Sequence, residues 1–166
     1  KWGDLSWTDF RDLPMDEALA VLPIGSMEQH GPHLPVETDG LCADLLVKGI
    51  CDKLEDVTTV VMPRIWCSRS NEHIEFPGTV FLEHETFVRL VMDICASVAR
   101  AGFKRMVILN WHGGNTALLA SIVRDIRQEF GLLIFVVDGL NLLSTFKPSW
   151  FEEGSFDIHA EHLETS

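Results

Sequence analysis

What most constrains the fold of this chain is a repeated change of hydrophobic period. Residues 18–25, 57–65, 104–110 and 132–138 are short runs dominated by aliphatic side chains, many of them β-branched. All four read as strands, and the first, almost continuously apolar and ending in Gly25, is the pattern of one buried on both faces of a parallel sheet. Between the first two, from Thr38 as N-cap, Leu41, Leu45, Leu46, Gly49, Ile50 and Leu54 recur at helical spacing. A second helical stretch covers 83–101 and closes at Gly102, and a third opens at Gly113-Gly114 and runs to Phe130. Strands alternating with helices predict a three-layer α/β/α fold with a largely parallel central sheet. For 166 residues the expectation is a single domain, 1–166. Ligands of such folds sit outside the carboxyl ends of the strands, which directs attention to the loops there.

Charge narrows the partners. The chain carries 13 Lys and Arg against 25 Asp and Glu, a formal net charge of -12. That excess repels phosphate backbones and anionic membranes, so neither nucleic acid nor membrane is expected, and small molecules or cations are. Cys42, Cys51, Cys67 and Cys95 contain no CxxC pair and read as reduced, mostly buried thiols. No apolar run reaches the roughly 18–20 residues of a membrane span, and residues 1–9 lack the blocks of a signal peptide, so a cytoplasmic location is expected.

The chemistry concentrates after the first strand, in Gly25-Ser26-Met27-Glu28-Gln29-His30-Gly31-Pro32-His33-Leu34-Pro35-Val36-Glu37-Thr38-Asp39. In extended chain, residues two apart point to one side, so Glu28 and His30 converge as a ligand pair while Gln29 faces away. Asp39, at the start of the next helix, either binds a metal or caps the helix. After the third strand, Asn110-Trp111-His112-Gly113-Gly114-Asn115 brings His112 to the same rim, with glycines that admit close backbone approach. Carboxylates mixed with imidazoles suit Zn, Mn or Fe(II) better than Ca or Mg. If two ions bind, a carboxylate such as Asp39 bridges them and a bound water becomes the nucleophile.

These blocks resemble the creatininase, or creatinine amidohydrolase, family. The resemblance rests on Gly25-Ser26-x-Glu28-Gln29-His30-Gly31-Pro32-His33-Leu34-Pro35 with Thr38-Asp39, on Glu72-His73-x-x-Phe76-Pro77-Gly78-Thr79, on Asn110-x-His112-Gly113-Gly114-Asn115, and on His159-Ala160 with Glu164-Thr165-Ser166. It implies that Glu28, His30, Asp39, His112 and Glu164 ligate two divalent ions, with Asp39 bridging, and that His159 moves protons at the reacting centre. It also implies a homo-oligomer, often a hexamer. Three departures accompany it. Position 114 is Gly where creatininase itself supplies a ligating Glu, which argues against creatinine as substrate. Glu161 and His162 stand where many relatives carry Gly and Glu. Family members usually continue past the Glu164-Thr165-Ser166 block.

The expected function is a metal-dependent amidohydrolase in which an activated water attacks a cyclic amide or formamide C–N bond of a small molecule. The alternatives are a peptide-processing enzyme of the same family and a non-catalytic metal or small-molecule binding module. With no Tyr in the chain, proton transfer falls to His and carboxylates. His33 reads as a loop support and His84 as a solvated face. Ser26, without a Gly-x-Ser-x-Gly elbow, reads as a turn-fixing serine. Glu72 and His73 stand equally as surface charges or as pocket lining, and Trp66, Trp111 and Trp150 read as core packing.

Overall fold

The computed structural model describes residues 1–146 and residue 159. Glu161, His162, Glu164 and Trp150 lie outside the described residues. The elements run α1 (Trp7–Asp12), β1 (Leu19–Ile24), α2 (Thr38–Cys51), β2 (Thr59–Val61), α3 (His84–Ala101), β3 (Arg105–Asn110), α4 (Thr116–Phe130), β4 (Leu133–Asp138) and α5 (Gly139–Phe146). Single 3-10 turns at Asn71–His73 and Gly113–Asn115 carry residues discussed below.

The four strands form one all-parallel sheet in the order β2-β1-β3-β4. From β1 the chain crosses outward to β2, then back past β1 to β3 and on to β4. Right-handed crossovers in opposite directions put their helices on opposite faces. Accordingly Ala20, Leu22 and Ile24 point to the face covered by α3 and α4, where Phe87, Val91, Cys95, Leu119 and Ile126 are fully buried. Val21 points to the other face, against Val47 of α2. Each Val, Leu, Ile or Phe among these contributes about 1.5–3 kcal/mol when fully buried. The reversal of direction between β1 and β3 opens a crevice at their carboxyl ends.

The structure departs from the sequence expectations at several points. β2 is only three residues long: Pro63 has no N–H for the ladder, and pairing resumes only at the Ile24–Ile65 bridge. The sheet is not covered on both faces throughout: among the described residues β4 is its edge, and Leu133 and Phe135 are half-exposed on the side where no described helix covers them. Thr38 is the first residue of α2 rather than its cap, and its hydroxyl donates to the Pro35 carbonyl at 2.6 Å. Gly113-Gly114 opens a 3-10 turn before α4 begins at Thr116. Gly102 does close α3, in the left-handed conformation at φ 108°.

None of the four cysteines forms a disulfide with another described cysteine; Cys95 is buried and the other three are half-buried. Among the described residues no helix is long and apolar enough to cross a membrane.

Candidate metal centre

Burial alternates with period two along the loop that leaves β1. Ser26, Glu28 and His30 are buried, while Met27 and Gln29 are half-buried. Backbone bonds hold this register, Glu28 N–H to the Val36 carbonyl at 3.0 Å and Val80 N–H to the Met27 carbonyl at 2.9 Å. Asp39 reaches the same point because Gly25 and Gly40 let the end of β1 lie against the start of α2. A Cβ on Gly25 would fall 2.7 Å from both Cα and N of Gly40. His112 follows from the β1–β3 register, in which Ile24 pairs with Asn110 and Trp111 N–H donates to the Ile24 carbonyl at 3.0 Å.

Three atoms converge there. His112 Nδ1 lies 3.1 Å from Glu28 Oε1 and 3.0 Å from Asp39 Oδ2. The second polar atom of each residue is held elsewhere. Ser26 Oγ donates to Glu28 Oε2 at 3.0 Å and also contacts Ser70 Oγ. His30 Nε2 faces Asp39 Oδ1 at 3.1 Å, and its Nδ1 faces the Glu28 carbonyl at 3.1 Å. His112 Nε2 donates to the Arg69 carbonyl at 2.7 Å. Glu28 Oε1 and Asp39 Oδ2, both buried, receive no hydrogen bond of acceptable geometry.

The electrostatics point the same way. Burial disfavours charge on His112, yet its contacts with Asp39, Glu28 and Glu72 outweigh that and push its pKa up to about 12. Burial likewise works against an ionised Asp39, but His112 and His30 beside it hold its carboxyl below the ordinary range. Two buried carboxylates this close demand positive charge between them, since an unpaired buried ion costs several kcal/mol. Two carboxylate oxygens and one imidazole nitrogen form a donor set suited to a borderline divalent cation.

A second cluster shares Glu28 Oε1. His159 Nδ1 lies 3.5 Å and His73 Nε2 3.9 Å from that oxygen, and the two rings stack with centroids 4.5 Å apart. Both three-residue groups have ligand atoms close enough to hold an ion. Gln29 does not turn away from the site as expected: its amide nitrogen lies 3.1 Å from both His73 Nδ1 and His159 Nε2. Over the site opens a cavity of about 190 Å³ lined in part by Glu72, His73, Trp111, Gly114 and His159.

Of the residues read from sequence, Glu28, Asp39 and His112 meet at one point, His30 lies against the far oxygen of Asp39, and His159 sits at the mouth. Glu72 and His73 line the cavity, resolving that even reading. Ser26 supports the Glu28 carboxylate rather than only a turn. His33 and His84 are exposed and away from the cavity. Trp66 is half-exposed and not core, whereas Trp111 is buried and borders the cavity. Ser70 and the Arg69 carbonyl carried no signal in sequence; both come from an irregular loop whose approach depends on the tertiary fold.

Comparison with known proteins agrees with this architecture. Over its whole length the chain is similar to the mycofactocin precursor peptide peptidase of Mycobacterium ulcerans, 31% identical across 99% of this chain and 62% of that protein. It is also similar to the creatinine amidohydrolase of Pseudomonas putida, 28% identical across 80% of this chain and 55% of that protein. The chain thus spans between about half and two thirds of these relatives' lengths. A solved structure described as creatininase Mn superposes with a TM-score of 0.82 at 24% identity, over 98% of this chain and 69% of that one, a likeness of fold. Residues 3–166 match the family model described as creatinine amidohydrolase, and the chain therefore belongs to the creatininase family.

Proposed function

We propose that this chain carries the active site of a metal-dependent hydrolase that cleaves an amide C–N bond. The observation that carries the reading is the convergence of Glu28 Oε1, Asp39 Oδ2 and His112 Nδ1, with both oxygens buried and lacking a hydrogen-bond partner. Glu28, Asp39 and His112 would hold one divalent cation, Zn, Mn or Fe, and Asp39 with His30 and, by resemblance to the family, Glu164 would hold a second. When bound, such cations polarise a carbonyl and lower the pKa of water.

The protein's own groups do the rest. Ser26 takes Glu28 Oε2, which leaves Oε1 directed inward. The Arg69 carbonyl accepts a hydrogen bond from His112 Nε2–H, which directs Nδ1 to the centre, where a bound cation would displace its proton. His159, at the mouth and stacked on His73, delivers a proton to the departing amine nitrogen. The half-exposed apolar side chains Leu133 and Phe135 on the open edge support a homo-oligomer.

The substrate expected from sequence is a small cyclic amide or formamide. A second reading, a peptide amide, is favoured by the 31% identity to a peptidase of the family, set against 28% to the creatinine enzyme. The test begins with elemental analysis of protein purified without chelator, alongside His30→Ala and His112→Ala. Bound Zn, Mn or Fe that is lost in both variants supports the reading, and parallel assays on cyclic amides, formamides and short peptides then choose the substrate class. An unaltered protein that neither holds nor takes up these ions overturns it.

A further inference from the structure

Position 114 is a crowded glycine at the edge of the site. A Cβ built there would lie 2.4 Å from Glu72 Oε1, 2.4 Å from His112 Nε2 and 2.8 Å from the Arg69 carbonyl oxygen. No real side chain tolerates such contacts, so a glycine here leaves room for groups delivered by the 66–79 loop. Those groups meet on one atom. His112 Nε2 donates to the Arg69 carbonyl at 2.7 Å and lies 3.5 Å from Glu72 Oε1. Arg69 Nη1 in turn donates to the Gly114 carbonyl at 3.4 Å, tying the loop to the turn that follows His112. Glu72 has no part in the hydrolytic reading above, yet it borders the cavity with its side chain 40% exposed.

We propose that Glu72 is a positioning residue for His112: its carboxylate fills the space that Gly114 leaves empty and, with the Arg69 carbonyl, holds the imidazole by Nε2 so that Nδ1 faces Glu28 and Asp39. An anionic acceptor on the outer nitrogen fixes both the tautomer and the ring plane, and it raises the basicity of the inner nitrogen. Glycine at 114 and Glu72 are then two parts of one device. The proposal rests on the reading of His112 as a metal ligand.

Glu72→Ala and Glu72→Gln test it, through zinc affinity measured by competition with a chelating dye and through 1H–15N spectra of the His112 imidazole. Glu72→Ala is expected to weaken zinc binding about 10- to 100-fold, the range for loss of an outer-sphere partner. Glu72→Gln, which keeps an acceptor oxygen but not the charge, recovers part of that loss. In the zinc-bound unaltered protein His112 carries its proton on Nε2, and in Glu72→Ala that signal shifts or broadens. Because Glu72 is partly exposed, melting of the metal-free variants stays within about 2 °C of the unaltered protein. Zinc affinity within about twofold of the unaltered value, with unchanged His112 signals, overturns the proposal. If the unaltered protein binds no zinc, the metal reading fails by itself. The metal-free spectra still decide, since a His112 signal that moves in Glu72→Ala supports the contact and one that does not overturns it.

Discussion

Adding one methyl group at Gly25 tests the contact that assembles the site. The new Cβ would stand 2.7 Å from Gly40 Cα, 2.7 Å from Gly40 N and 3.1 Å from the Asp39 carbonyl carbon. Carbon atoms settle at about 3.5–4.0 Å, so the overlap approaches 1 Å, and every atom it meets is backbone. No rotamer can absorb that. The end of β1 must retreat from the start of α2, and overpacking of this kind costs about 1–3 kcal/mol, with the upper end expected where only backbone can yield. For a domain of this size each kcal/mol lowers Tm by about 2–4 °C, so Gly25→Ala should melt about 6–12 °C below the unaltered protein. The same retreat draws Glu28 away from Asp39, so metal retention should fall with stability. Gly49→Ala on α2 is the control, because its Cβ meets nothing within 4 Å. Alanine there should leave stability unchanged or raise it by up to about 1 kcal/mol. Differential scanning calorimetry of the three proteins, with metal content measured in parallel, reads both effects. A Gly25→Ala protein that melts within about 2 °C of the unaltered one and keeps its metal would refute the claim that this close approach builds the site.

Further outcomes follow from neighbouring features. Ser26→Ala frees Glu28 Oε2 and should reduce metal affinity about 10- to 100-fold in a chelator competition, while leaving the fold intact by circular dichroism. Phe87→Ala, at a fully buried position on α3, should cost about 3–5 kcal/mol in urea denaturation. Stripping metal with a chelator should lower the melting temperature, since free metal at 1,000 times Kd contributes about 4 kcal/mol, and readdition should restore it. Burial pushes the Cys95 thiol from its ordinary 9.0 up to about 12. A raised thiol pKa keeps its stabilising effect below the unfolded value and loses it above, so stability should decline as pH climbs from 9 towards 12, and Cys95→Ser should flatten that decline. A thiol reagent at pH 8 should label Cys95 only after unfolding.

How much of this was legible in the sequence depended on whether a residue's surroundings are local. Ala20, Leu22 and Ile24 announce a strand through their own run, Gly102 announces a helix end, and Glu28 and His30 share a side because extended chain alternates. These readings need only nearest neighbours. The same local rules misplaced Gln29, since alternation says that it leaves the Glu28 side but not that a loop carrying His73 will meet it there. They also missed α1, although Ser6 and Asp9 form a capping box around it; the pattern was present and too short to outweigh its polar surroundings. The run holding Leu133 and Phe135 announces a strand, whereas their exposure follows from strand order, which no local pattern encodes. Arg69, Ser70 and Glu72 belong to the 66–79 loop, and their contacts exist only once that loop is laid across the end of β3.

The placement of β1 beside β3, with β2 formed on the outside, has a kinetic consequence. Glu28 and Asp39 are near in sequence, but His112 joins them only after residues 25–104 have been looped out and the central strands have paired. Contacts of such sequence separation form slowly, because loop-closure entropy is lost before they can repay it. The capture point for a cation is therefore absent from early folding intermediates, and metal uptake during refolding should track the slowest phase of β1–β3 docking rather than the initial collapse. A chain emerging from synthesis would present at most scattered weak ligands until β3 has docked.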